Sequence, residues 1–145
     1  MFKVVVVGAD NSITARRAVE AAAEISQIAG GALHIVTAYG SKLYDEGSRP
    51  EEFAHINSEG EVDALLQELS FVAKAKGIEP TLHGVKGPPA EVIVAKADEL
   101  GADLVVVGNR GMKGVHRVLG SVPNSVAHGA HCSVAIIDTA DEASK

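Results

Sequence analysis

Tryptophan is absent from this chain, and all aromatic residues together make up only 3% of it. Proteins that bind single-stranded nucleic acid stack its bases on aromatic side chains, and this chain has too few of them to form an evident platform. Basic residues are not in excess either, because the formal net charge is −6. A negatively charged chain is poorly suited to contact a phosphate backbone over a broad face. Both shortages argue against a nucleic-acid partner.

Cysteine and long apolar runs are also scarce. Cys132 is the single cysteine, so no disulfide can form within the chain. The apolar run at residues 4–7 is too short for the core of a signal peptide, and no stretch is long enough to span a bilayer. The composition, with 46% hydrophobic and 22% charged residues, is that of a folded globular chain. We therefore expect one cytoplasmic domain over residues 1–145, with no membrane partner.

Several catalytic and metal-binding patterns are missing. Neither a Walker A loop nor the G-x-G-x-x-G dinucleotide fingerprint occurs. His128 and His131 lie three residues apart near the end of a predicted helix, and this pair alone does not favour a zinc site. No general base can be identified that would activate water against a phosphate. Fast ATP hydrolysis is therefore not expected.

The pattern that is present alternates buried strands with amphipathic helices. Valine-rich runs at residues 4–7 and 103–107 are typical of strands covered on both faces, and further strands are predicted at 32–38, 78–85 and 133–138. Apolar residues at helical spacing lie between them. The sequence thus predicts a single doubly wound α/β domain with a five-stranded parallel sheet and helices on both faces. Residues 40–58 are predicted to form a surface loop and 139–145 a polar tail.

Two predicted loops carry unusual chemistry at the carboxyl ends of strands, where open α/β sheets bind ligands. The first, GADNS, follows the first strand, and its Asp10 could accept a hydrogen bond from a ribose hydroxyl or a base amine. The alternative is that Asp10, Asn11 and Ser12 only cap the next helix. Ala38, at the end of the second strand, could offer main-chain groups and a small wall to a base.

The second loop follows the fourth strand and is rich in glycine. Gly108, Gly111 and Gly120 permit unusual backbone angles and close approach of a ligand to the main chain. Main-chain N–H groups in such turns, and at a helix start near Ser121, form sites for anions. Arg110 and Lys113 add positive charge. The combination is suited to binding a phosphate chain. The alternative interpretation is that the glycines only form a turn and that both cations face solvent.

The segment Gly108-Asn109-Arg110-Gly111 is also similar to the GxxG loop with which KH domains hold single-stranded nucleic acid. Two features argue against that interpretation. The loop follows a buried strand in a five-strand α/β pattern, and the chain is negatively charged.

Taken with GSVPNSV at residues 120–126, the glycine loop resembles that of the nucleotide-binding branch of the universal stress protein (UspA-like) family. VVVGADNS at 5–12, GPPA at 87–90 and ADLVVVG at 102–108 extend the resemblance over nearly the whole chain. It implies the strand order 3-2-1-4-5, ATP or cyclic AMP as ligand, Mg²⁺ accompanying ATP, and a homodimer joined through residues 133–138. It also implies a nucleotide site composed of Gly8, Ala9, Asp10, Ala38, Gly108, Asn109, Arg110, Gly111, Met112, Gly120, Ser121, Val122, Pro123 and Asn124.

The chain departs from the family pattern at two points. Only eight residues, 112–119, separate Gly111 from Gly120, where the family has nine, and Asn11 replaces the usual glycine of the first turn. With this shorter spacer, the resemblance does not fix how many phosphates the glycine loop would hold. The implied function is that of an adenine-nucleotide-binding stress-response protein that acts as a sensor, a regulator or a nucleotide reservoir. The alternatives are a slow ATPase and an interaction scaffold with a vestigial pocket.

Overall fold

A computed structural model describes residues 1–10, 12, 14–40, 59–109 and 122–139. Strands and helices alternate along these ranges, and no helix within them has the length and apolar content needed to cross a membrane. Most of the predicted surface loop and all but the first residue of the predicted tail lie outside the described residues. The strands are β1 (Val4–Gly8), β2 (Ala32–Tyr39), β3 (Thr81–Lys86), β4 (Leu104–Gly108) and β5 (Ser133–Ile137). The helices are α1 (Ala15–Ala29), α2 (Glu59–Ala75), α3 (Pro89–Leu100) and α4 (Val122–Gly129).

The five strands form one parallel sheet in the order β3-β2-β1-β4-β5. The predicted fold class and the strand order implied by the family resemblance are both confirmed. β1 and β4, far apart in the chain, are neighbours in the centre of the sheet, with Val5 opposite Leu104 and Val7 opposite Val106. The order in which strands are added reverses at this pair: β2 and β3 lie on one side of it and β5 lies on the other.

Each face of the sheet is covered by one pair of helices. Alternate side chains of β1, such as Val5 and Val7, pack with α1 and α2, whereas Val6 packs with α3 and α4. The apolar residues of α2 recur at helical spacing and are buried: Val62, Leu65, Leu66, Leu69, Val72 and Ala73. Both sides of the central strands are thus removed from water, which is why β1 and β4 are continuous valine runs.

β3 begins three residues later than predicted. The main-chain N–H of Ile78 donates to the carbonyl of Ala73 at 3.1 Å, and Gly77 has a φ of 84°. Ile78 therefore still belongs to the C-terminal closure of α2, a turn that needs a left-handed residue. Pro80, which has no N–H to donate to a sheet, precedes the first strand residue, Thr81.

Two histidines pair on the face of the sheet that α3 covers. Nδ1 of His34 on β2 lies 3.0 Å from Nε2 of His83 on β3, and their rings are stacked with centroids 5.2 Å apart. Burial lowers the pKa of both imidazoles below the usual value. The Lys96 ammonium lowers both further; for His83, the nearby His34 also lowers the pKa, while Glu99 opposes these effects.

We expect this pair to make the fold less stable in mild acid. The unfolded histidines, with a pKa near 6.5, bind protons before the folded ones do. The stabilisation is therefore complete above pH 6.5 and is lost as the pH falls from there towards the lowered folded pKa values. Urea unfolding between pH 8 and pH 5 measures the loss. A His34→Gln/His83→Gln double variant should show a flatter profile over this range, and an unchanged profile would contradict the assignment.

Candidate functional site: the fork between β1 and β4

β1 and β4 separate at their carboxyl ends. Their pairing ends at Val7 and Val106. Beyond it, the N–H of Ala9 donates to the carbonyl of Val36 on β2 at 3.0 Å, and the N–H of Asn109 donates to the carbonyl of Ile137 on β5 at 2.9 Å. The ends of β1 and β4 thus pair with their outer neighbours and no longer with each other, and the gap between them is called the crevice. This is the position at which open α/β sheets bind their ligands.

Gly8 is the last residue of β1 and lies at the base of this crevice. A Cβ atom built on Gly8 would overlap Cδ1 of Ile93 on α3 and would come within 2.9 Å of its Cγ1. Ile93 is buried, with 4% of its surface exposed. The glycine therefore lets α3 pack against the end of β1, and Gly8 can offer a ligand only main-chain groups.

Asp10 lies in the turn that leaves the crevice towards α1. Its Oδ1 accepts a hydrogen bond from the main-chain N–H of Ser12 at 2.9 Å. This is a local Asx-type turn, in which one side-chain oxygen stabilises the backbone two residues on. Asp10 thus shapes the turn before α1, and its contact with a ligand stays a prediction.

The cap of α1 differs from the prediction. Thr14 occupies the N-cap position and its side chain makes no capping hydrogen bond. The hydroxyl of Ser12 instead lies 3.1 Å from Oγ1 of Thr14, while its carbonyl accepts the N–H of Ala15. Ser12 is therefore not the cap, because its hydroxyl is engaged by a neighbouring side chain. Asn11, the other candidate, is outside the described residues.

Ala38 lies on β2 just past the last residue paired with β1, Val36. It pairs with Val85 on β3 and is half-buried on the face covered by α3 and α4. Its role as a small wall for a base stays a prediction. The structure thus brings the β1 end, Ala38 and the β4 end to one edge of the sheet.

Asn109, the first residue after β4, makes a network with the end of β5. Its Oδ1 accepts hydrogen bonds from the main-chain N–H of Thr139 at 2.9 Å and from the Thr139 hydroxyl at 3.0 Å. Its Nδ2 donates to Oδ1 of Asp138 at 3.1 Å. Sequence reasoning placed Thr139 in a polar tail, but its exposed fraction is only 1%. No sequence signal marked this contact, since a threonine after a strand is also common in exposed segments.

The remaining site residues are divided between the start of α4 and residues outside the described ranges. Val122 and Asn124 are half-buried in the first turn of α4, and Pro123 is buried. Proline is tolerated there because the first helical N–H groups have no partner within the helix. The predicted residues that lie outside the described ranges are Arg110, Gly111, Met112, Gly120 and Ser121, together with the eight-residue spacer.

Metal-ligating side chains do not cluster in the part of the chain that the structure describes: no group of three or more histidine, cysteine, aspartate or glutamate residues could hold an ion there. Cys132 is half-buried, and burial, with the carboxylates of Asp98 and Asp103, raises the pKa of its thiol. The raised pKa favours the unreactive thiol over the thiolate.

Comparison with protein families identifies the chain's relatives. The model of the universal stress protein family matches residues 1–138. The chain belongs to the universal stress protein family. Universal stress protein Rv1636 of Mycobacterium tuberculosis is 35% identical over 95% of this chain and 97% of its own length. Universal stress protein YxiE of Bacillus subtilis is 32% identical over 94% of this chain and 99% of its own.

Solved structures agree with this assignment. The crystal structure of a universal stress protein in complex with cAMP superposes with a TM-score of 0.78 and 35% identity, covering 95% of this chain and 98% of that one. A universal stress protein from Archaeoglobus fulgidus shares the fold, with a TM-score of 0.71 and 24% identity over 94% of both chains. The family resemblance read from the glycine loop and the valine strands is thus confirmed.

Proposed function

We propose that this universal stress protein binds an adenine nucleotide, ATP or cyclic AMP, in the crevice between β1 and β4. The observation that carries the proposal is the fork itself, where the main chain at Gly8–Ala9 and at Gly108–Asn109 turns away to opposite sides. A relative with 35% identity and the same fold has been solved with cAMP. The bound nucleotide would make the protein a cytoplasmic sensor, regulator or nucleotide reservoir in a stress response.

The proposed contacts follow the chemistry of each segment. Asp10 would accept hydrogen bonds from the ribose, and Ala38 would border the adenine. The phosphates would meet main-chain N–H groups, because such groups at glycine turns and helix starts favour anions. This role is proposed for Gly108, Asn109, Gly111, Gly120 and Ser121, with Arg110, Met112, Val122, Pro123 and Asn124 beside them. Mg²⁺ would accompany ATP and neutralise part of its phosphate charge.

Calorimetry with ATP, ADP, AMP and cyclic AMP, each with and without Mg²⁺, tests the proposal. We expect saturable binding of ATP or cyclic AMP with one site per chain. Binding of cyclic AMP alone would remove ATP from the proposal. A higher affinity for ATP in the presence of Mg²⁺ would support the proposal that the metal accompanies ATP. No heat with any of the four nucleotides would contradict nucleotide binding and favour the scaffold alternative. Measuring phosphate release from bound ATP separates a sensor from a slow ATPase.

We also propose that two copies join through β5. This strand pairs only with β4 in the sheet order, so its outer edge carries main-chain groups without a strand partner among the described residues. Ile136 on β5 has 39% of its surface exposed, a high value for a large apolar side chain in a strand. Edges of this kind are commonly covered by pairing. Sedimentation equilibrium of the sample used for calorimetry should give twice the mass of one chain, and a monomer at all concentrations would contradict the proposal.

A further inference from the structure

We infer that Thr139 is a positioning residue of the crevice, which acts through Asn109 to hold the end of β4 against the end of β5. This inference rests on the proposed nucleotide site. It adds a residue that lies outside every motif in the glycine loop.

Four hydrogen bonds join the end of β4 to the end of β5 through Asn109. Oδ1 of Asn109 accepts from both the N–H and the hydroxyl of Thr139, at 2.9 and 3.0 Å, and the Asn109 N–H donates to Ile137. Nδ2 donates one of its two hydrogens to Asp138. The side-chain amide thus accepts with its oxygen on one side and donates with its nitrogen on the other. An aspartate at position 109 would lose the donated bond and place a second carboxylate beside Asp138.

Packing adds to these bonds. Thr139 is almost fully buried, and its Cγ2 lies 3.1 Å from the place where a Cβ of Gly108 would be. The side chain thus packs against Gly108 while its hydroxyl holds Asn109. Gly108, the last residue of β4, and Asn109, the residue after it, form the β4 exit, and both are therefore held by the same threonine.

The position of the β4 exit sets the width of the crevice. Ala9 is held to β2 by its bond to Val36, so the opposite wall is the main chain at Gly108 and Asn109. A nucleotide that contacts main-chain groups on both walls needs them at a fixed separation. Small displacements of such groups weaken hydrogen bonds steeply, because these bonds tolerate only narrow ranges of distance and angle. Loosening Thr139 should therefore weaken binding without removing any group that touches the ligand.

A purely structural role would lower stability and leave affinity unchanged, so the test measures both. Thr139→Val keeps the shape of the side chain and removes the hydroxyl, whereas Thr139→Ser keeps the hydroxyl. Ser70→Ala is the matched control, because Ser70 is also buried and donates to the carbonyl of Gln67 at 2.7 Å, but on α2. Affinities for cyclic AMP and ATP are measured by calorimetry and stability by urea unfolding.

We expect Thr139→Val to weaken the affinity of the nucleotide that the wild type binds by about fivefold to tenfold, in keeping with the loss of one buried hydrogen bond. Thr139→Ser and Ser70→Ala should stay within about twofold of the wild type. Unchanged affinity in Thr139→Val, or an equal loss in Ser70→Ala, would overturn the inference.

Amide hydrogen exchange without nucleotide separates this inference from the proposed function. In Thr139→Val the Asn109 N–H should exchange faster while the Ala9 N–H, on the other wall, exchanges as in the wild type. If the wild type binds no nucleotide, the proposed function and the positioning role both fail, but exchange still decides whether Thr139 holds the β4 end. Equal exchange rates of the Asn109 N–H in Thr139→Val and the wild type would show that Thr139 does not hold the end of β4.

Discussion

Replacement of Gly8 by alanine is expected to lower the free energy of unfolding by about 2 kcal/mol, the usual cost of adding a methyl group to a packed core. The new methyl would occupy the space of Cδ1 of Ile93. Ile93 lies on α3 and is 96% buried, its exposed fraction being 4%. Its side chain must therefore leave its place among close neighbours, and α3 must shift from the end of β1. Urea unfolding measures the loss.

A double-mutant cycle identifies the cause. Ile93→Ala alone creates a cavity and should cost about 2–5 kcal/mol. In the Gly8→Ala/Ile93→Ala protein the added methyl enters that cavity, so the double variant should be more stable than the sum of the two single effects by about 1 kcal/mol or more. Gly129→Ala is the control, because its Cβ would meet Val94 at an ordinary 3.4 Å. Additive effects would show that Gly8 is required for another reason.

Asp10→Asn is expected to weaken nucleotide binding by about 10-fold to 100-fold, which corresponds to the loss of charge-assisted hydrogen bonds worth about 1.5–3 kcal/mol. The amide retains an oxygen that can accept the N–H of Ser12, so the turn before α1 should survive. What is lost is the negative charge that would strengthen a hydrogen bond from a ribose hydroxyl. Calorimetry with the bound nucleotide gives the change, and urea unfolding should show little difference in stability.

Two further variants separate charge from shape. Asp10→Ala removes both the charge and the acceptor for Ser12, so it should lose stability as well as affinity. Glu79→Gln removes the same unit of charge at a side chain that is 79% exposed and distant from the fork, so it should bind as the wild type does. If Asp10→Asn binds with wild-type affinity, Asp10 serves only the turn before α1.

The fold was predictable because its signals are local and repeated. Continuous valines at β1 and β4 indicate strands buried on both faces, and the stripe of α2 indicates one buried helix face. The order of strands is a different matter, since no local pattern brings Val5 to Leu104. It came only from the family resemblance, and the structure agrees with it. The start of β3 was misplaced because Ile78 has the apolar character of a strand residue but closes a helix.

The site was predictable only as a set of loops. The change from valine runs to glycine and polar residues indicated which strand ends carry chemistry. It could not show that the Cβ position of Gly8 is filled by Ile93, or that the amide of Asn109 faces Thr139, because both contacts join segments distant in sequence. The number of phosphates held depends on the eight-residue spacer, which lies outside the described residues.

The pairing of β1 with β4 also bears on how the chain is synthesised. β1, β2 and β3 can pair once residues 1–86 have left the ribosome, but β1 then lacks its neighbour on one side. Its partner, Leu104–Gly108, emerges only later, after α3. Until then the nascent chain presents the unpaired edge of a valine strand, the kind of edge that joins other chains in aggregates. The crevice is completed by the same late event, so under the proposed function a chain arrested before β4 would lack one wall of the nucleotide site.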